Sequence, residues 1–265
     1  MQTASAPTQV RTRGRIPLAI PAAITVAWVV ALVAQSTGKA ALFHHDALIE
    51  GGPPLWVALP LFALAWQVMV AAMMLPSTLP MVRIFGAATA AVPHRGRTMA
   101  AFLGAYGAVW TLFGALAFLG DDGLHHLVEA NPWLTAHPYL IGGTVLALAG
   151  AFQFSDLKER CLSECRHPGA FLMKHYRERG GKAAFRFGWK HGAFCLGCCW
   201  ALMVLMFAVG VAHLWWMAAL TALMFYEKVG RHGVAAARVG GVLLLLLGAG
   251  VLLQEPAWLG TLLSH

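Results

Sequence analysis

The chain has 265 residues, of which 59% are hydrophobic and only 11% charged, with a formal net charge of +8. Soluble domains carry about 25% charged residues, so this composition excludes an ordinary soluble enzyme and predicts an all-α, polytopic membrane helix bundle. Nineteen Lys and Arg against eleven Asp and Glu do not mark a nucleic-acid binder, because multi-span proteins collect cations on their cytoplasmic loops.

Residues 1–15 form a basic arm carrying Arg11, Arg13 and Arg15. The apolar stretch that follows, from Ile16 to about Ala34, exceeds the roughly 7–15 apolar residues of a signal peptide. It therefore reads as an uncleaved first span. Seven spans are expected, near 16–36, 55–82, 98–119, 138–155, 192–211, 213–228 and 235–253, forming a single bundle over 16–255. The fifth and sixth are split at Gly210-Val211-Ala212-His213, since one helix of that length would overshoot a ~30 Å apolar core. With this topology eighteen Lys and Arg fall on one side and only Lys39 on the other, which predicts a cytoplasmic N-terminus. All five cysteines then lie on the cytoplasmic side or at its membrane boundary. That compartment is reducing, which favours metal-binding or redox thiols over structural disulfides.

In the second span, Met69, Met73 and Met74 precede Pro76 and Pro80. Pro76 deprives the Ala72 carbonyl of its helical donor, so a break is predicted there, placed where neighbouring polar groups can repair it. Thioethers of Met73 and Met74 suit Cu(I); methionine also serves as gap filler in a kinked helix.

His44, His45, Asp46 and Glu50, with Asp121, Asp122, His125, His126, Glu129 and His137, fall on the outer side. Imidazoles and carboxylates can hold Zn(II), Cu(II) or Ni(II), although loops of this kind are commonly just solvated.

The loop 156–191 is the one sizeable soluble piece. It is expected to prolong the fourth helix to about Cys165, to break at Pro168-Gly169, and to run as an amphipathic surface helix up to Gly180-Gly181. Cys161 and Cys165 stand one helical turn apart, so their thiols face one way.

The most concentrated chemistry is Cys195-Leu196-Gly197-Cys198-Cys199-Trp200, expected at the start of the fifth span. At roughly 100° per residue, His191, Cys195, Cys199, Met203 and Met206 occupy an arc of about 120°. Such a stripe of soft donors suits Cu(I) and, through the thiolates, Zn(II). Lys190 and the helix start are expected to favour the thiolate. Buried cysteine is otherwise an ordinary small hydrophobe. Glu227, just inside the sixth span, is an intramembrane acid and so a functional candidate, although beside Lys228 it reads equally as an anchor of the helix end. Gln67 and Gln153 read as interhelical hydrogen-bond partners.

No P-loop, dinucleotide motif, HExxH, GxSxG or CxxCH is present, so no catalytic residue is nominated.

Three motifs in order, Ala72-Met73-Met74-Leu75-Pro76, then Gln153 with Leu157-Lys158 and Cys161 to Pro168, then Gly197-Cys198-Cys199-Trp200 with Glu227, carry a resemblance. Over roughly residues 60–250 the chain resembles the bacterial family of predicted metal-binding integral membrane proteins, a domain of unknown function whose members include some labelled copper chaperones. The resemblance implies an inner-membrane protein that binds metal, copper first.

The resulting expectation is a membrane Cu(I)-binding protein for copper delivery or trafficking. Its ligands would be Cys195, Cys198 and Cys199, completed or relayed by Cys161 and Cys165, with His191, Met73 and Met74 as auxiliaries. A copper-dependent membrane enzyme or another copper carrier would be its partner. Zinc is the alternative ion. A membrane thiol-disulfide oxidoreductase and a structural membrane subunit are the alternative functions.

Overall fold

The structure is a computed structural model and describes residues 16–37, 46–49, 52–208 and 213–253. The basic arm, His44, His45 and Glu50 lie outside the described residues. Twelve α-helices and no strand occur among the described residues. In chain order they are α1 (Ala19–Ser36), α2 (Asp46–Ile49), α3 (Leu55–Met73), α4 (Leu75–Ala88), α5 (Arg95–Glu129) and α6 (Pro132–Ala136). Then follow α7 (Tyr139–Phe152), α8 (Asp156–Arg166), α9 (Pro168–His175), α10 (Gly181–Ala208), α11 (Leu214–Val229) and α12 (Gly233–Leu253).

Five of these, α1, α3, α5, α10 and α12, are long and apolar enough to cross a membrane. Each of the seven expected spans overlaps one helix or, for the second, two. However, α7 has 14 residues and α11 has 16, so neither spans a ~30 Å core alone at 1.5 Å per residue. Many apolar side chains on the outer faces are bare, including Val26 on α1, Leu64 on α3, Leu116 on α5 and Leu246 on α12. A bundle apolar both inside and outside matches a lipid-facing perimeter.

The expected break in the second span falls at Met74, between α3 and α4. The Ala72 carbonyl freed by Pro76 accepts a hydrogen bond from Trp28 Nε1 on α1 at 3.1 Å. The Met74 carbonyl accepts from both Ser77 Oγ and Thr78 Oγ1. A kink in apolar surroundings thus keeps its polar atoms paired.

Four expectations are corrected. The fourth span does not run on to Cys165: α7 stops at Phe152 and α8 leaves at 62°. Ser155 explains the restart, because its side chain caps α8 by accepting from Lys158 N, with Asp156 and Glu159 in the first turn. The amphipathic helix α9 ends at His175 rather than Gly180. Gly180, at φ 106°, instead turns the chain into α10. Finally, α10 begins at Gly181, about three turns before the expected start, and α5 extends to Glu129 instead of ending near 119.

The core has two parts. One gathers Met69, Met73, Met74, Trp66, Trp110, Met203, Met206, Met224 and four of the cysteines. The other is aromatic, with Phe85, Phe102, Phe171 and Phe187 from α4, α5, α9 and α10. Phe85, Phe102 and Phe187 stack with centroids 4.7–5.6 Å apart, a geometry that adds to simple area burial. Helices α5 and α10 pack tightly, and a Cβ at Gly188 would strike the Phe102 carbonyl.

Candidate functional site

The thiols converge between α8 and α10. Lys158, Cys161, Leu162 and Cys165 recur at i, i+3, i+4 and i+7 and form the inward stripe of an otherwise polar helix. Gly197 lets this stripe approach, since a Cβ there would lie 2.5 Å from Cys161 Sγ. On α10, Cys195, Cys198 and Cys199 are fully buried. Cys198 Sγ lies 3.4 Å from Cys199 Sγ and 3.9 Å from Cys165 Sγ, across the helix pair. All five cysteines are free thiols, and Cys165 is only half-buried.

With metal–sulfur bonds of about 2.3 Å, tetrahedral thiolates stand roughly 3.8 Å apart. The Cys165–Cys198–Cys199 spacings are close to that value. Among the described residues, no group of three or more His, Cys, Asp and Glu side chains is placed to hold a metal ion.

The cation beside the thiols is not Lys190, which is exposed, and Cys195 lies well inside α10, far from its N-terminus. The expected contributions of Lys190 and of the helix start are therefore wrong. Helix-dipole effects fade within the first turn. Instead, Lys228 from α11 places its ammonium 3.1 Å from Cys195 Sγ and 3.1 Å from Ser77 Oγ. Tyr106 Oη from α5 lies 3.2 Å from Cys195 Sγ and 3.1 Å from Thr78 Oγ1. The α4 residues of this network, Ser77 and Thr78, are held by the Met74 carbonyl at the break.

Glu227 is completely buried and meets Lys158 Nζ of α8 at 2.6 Å, while its Oε1 has no hydrogen-bond partner among the described residues. Arg166 donates to the Glu227 and Gly230 carbonyls. These contacts tie α8, which bears two of the thiols, to the end of α11, which bears Lys228.

His191 is buried one turn before Cys195, stacked on Phe102 and Tyr106, and neither ring nitrogen has a hydrogen-bond partner among the described residues. A buried imidazole without a hydrogen bond is costly, and it is an available donor next to the thiols. Met73 and Met74 are fully buried in the same cluster as Cys195, Cys198, Cys199 and Met203. The Cys161 thiol is pushed up from the ordinary value by burial, with Glu164 adding to the effect.

The outer set does not join this site. Asp121, Asp122, His125, His126 and Glu129 lie along the last turns of α5, not in a loop. His126 lies 4.0 Å from Asp122 and 3.7 Å from Glu129, largely exposed. His125 Nδ1 contacts the Asp121 backbone and carboxylate. His137 stacks on Trp133. Gln67 does bridge helices, donating to the Gly107 carbonyl and to Thr111.

The sequence singles out Lys158 only as part of a motif and Lys228 only as the neighbour of Glu227, and it gives Tyr106, Ser77 and Thr78 no role. One signal was present: a lysine in phase with two cysteines on a polar helix. Another was an acid–base pair inside an apolar run.

No curated protein and no solved structure matches the chain. Residues 63–251, spanning α3 to α12 and every cysteine, match the model of the PpoB2 family, described as copper chaperone, and the chain belongs to that family.

Proposed function

We propose that the protein binds Cu(I) in the bacterial inner membrane and passes it on, either to a copper-dependent membrane enzyme or to another copper carrier. The bundle over 16–255 crosses seven times, through α1, α3 with α4, α5, α7, α10, α11 and α12, with the basic arm in the cytoplasm. The eighteen-to-one partition of Lys and Arg supports this orientation. The short helices α7 and α11 cross shielded by longer neighbours.

The observation that carries the reading is the sulfur row Cys165–Cys198–Cys199, drawn from two helices at spacings near those of a thiolate-bound metal. Cys195 extends it, and Cys161, His191, Met73 and Met74 supply further soft or borderline donors. Zn(II) meets the same sulfurs, but the adjoining thioethers favour Cu(I). A Cu(I) ion on two thiolates carries net charge −1. The Lys228 ammonium beside Cys195 offsets that charge where water is excluded. Burying an unpaired charge is strongly unfavourable, so this cation is a working part of the site.

The test is the metal content of protein purified under reducing, chelator-free conditions. About one copper per chain is expected. It should be lost when Cys195, Cys198 and Cys199 are changed together to serine. A metal-free protein whose Cys165 and Cys198 cycle through a disulfide with a dithiol or quinone would establish the oxidoreductase reading instead. Those sulfurs need only close from 3.9 Å to about 2.05 Å.

A further inference from the structure

A second site opens on the other flank of α8. A cavity of about 340 Å³ lies where the α7–α8 bend meets α12. Gln153, in that bend, lines it and is only 4% exposed, yet among the described residues neither its amide nitrogen nor its amide oxygen has a partner. Helix α12 reaches Gln153 only because residue 241 is glycine: a Cβ there would lie 2.7 Å from the Gln153 Cβ.

The charged lining is balanced. Lys158 is taken by Glu227. Arg238 and Glu159 remain, both exposed at the rim and without an ion-pair partner among the described residues. Phe154, Leu162 and Val234 supply apolar wall. The cavity thus offers one guanidinium and one carboxylate at its rim, and behind its wall lies the buried Gln153 amide, whose donor and acceptor are both unused among the described residues. Leaving such an amide buried and unpaired costs about 1–3 kcal/mol per group, a cost that a ligand with matching groups relieves.

We infer that this cavity binds a zwitterion carrying an anionic phosphate and a primary ammonium, the chemistry of a phosphoethanolamine headgroup. The phosphate accepts from Arg238 and from the Gln153 amide nitrogen. The ammonium donates to Glu159 and to the Gln153 amide oxygen. A quaternary ammonium cannot donate, and a glycerol headgroup brings no cation to Glu159. A lipid is one source of this group. Half-exposed Phe154, with bare Val239, Val242 and Leu246 further along α12, gives acyl chains an apolar track leading from the cavity. A free solute is the other source. Lipid as the source rests on the membrane reading above, but the cavity itself requires neither membrane nor metal.

The experiment uses metal-free protein in detergent, so its outcome is independent of copper binding. Short-chain phosphatidylethanolamine, phosphatidylcholine and phosphatidylglycerol are each titrated, together with soluble O-phosphoethanolamine, with thermal shift and native mass spectrometry as readouts. The ethanolamine lipid should bind preferentially. Arg238→Gln, at an exposed position that leaves packing intact, and Gln153→Leu should each weaken it roughly tenfold, the loss of one charge-assisted or buried hydrogen bond. O-Phosphoethanolamine binding as tightly as the lipid would identify a solute as the natural occupant of the same site. Equal binding of all three lipids, no binding of any probe, or affinities unmoved by both substitutions would overturn the inference.

Discussion

The Lys228 ammonium touches the Cys195 sulfur at 3.1 Å, joining α11 to α10 inside the bundle. A lysine in such a place is costly unless an anion answers it. Lys228→Met should therefore weaken Cu(I) retention in competition with a chromophoric Cu(I) chelator by roughly tenfold to a hundredfold, the worth of a charge-assisted contact. Unchanged retention would show that the ammonium takes no part in metal binding.

Lys158 and Glu227 pair at 2.6 Å with both side chains sealed from solvent. Lys158→Ala leaves the carboxylate buried alone and should cost about 3–5 kcal/mol, whereas a Lys158→Met, Glu227→Leu double variant should be close to neutral. Denaturant or thermal unfolding in micelles measures both. Equal losses in the single and double variants would mean that packing, rather than charge, dominates.

Gly197 is the point where α8 meets α10. Gly197→Ala gains about 1 kcal/mol in helix propensity, but overpacking against Cys161 typically costs 1–3 kcal/mol, so a net loss is expected. Adding Cys161→Ala removes the sulfur and leaves only its Cβ, 3.4 Å from the new methyl, so the double variant should recover. A stable Gly197→Ala single variant would show that α8 can shift freely.

Cys165 bridges toward Cys198, whereas Cys161 packs on Gly197. Cys165→Ser should lower copper content more than Cys161→Ser does. The reverse order would move the site toward the other turn of α8.

Burial and Glu164 raise the Cys161 thiol above its ordinary range. The folded chain therefore keeps a proton that the unfolded chain loses as pH rises through the usual thiol value. Stability should fall above that value, and below it this group contributes no slope. Mass-spectrometric alkylation at mildly alkaline pH should accordingly label Cys161 more slowly than half-buried Cys165. Faster labelling of Cys161 would contradict the burial argument.

Local rules carried the sequence reading as far as they reach. The break at Met74 and the orphaned Ala72 carbonyl followed from proline alone. The shared face of Cys161 and Cys165 followed from helical spacing, and so did the grouping of His191 with Cys195 and Cys199. The partners of those residues did not follow, because Lys228 lies 33 residues from Cys195 and Glu227 lies 69 from Lys158. Such pairs exist only once α8, α10 and α11 have packed. The α7–α8 bend was missed for a different reason. Ser155-Asp156 is a helix-start signal, but the surrounding run was read for hydropathy rather than for caps.

The thiols differ in their access to the outside. Cys165 is partly open, while Cys195, Cys198 and Cys199 are closed off completely. An ion arriving from a donor would meet Cys165 first and exchange one bond at a time toward the interior, staying bound to at least one sulfur throughout. Handover of this kind keeps Cu(I) out of bulk solvent, so delivery would be governed by which protein can dock over Cys165 and not by how much free ion surrounds it.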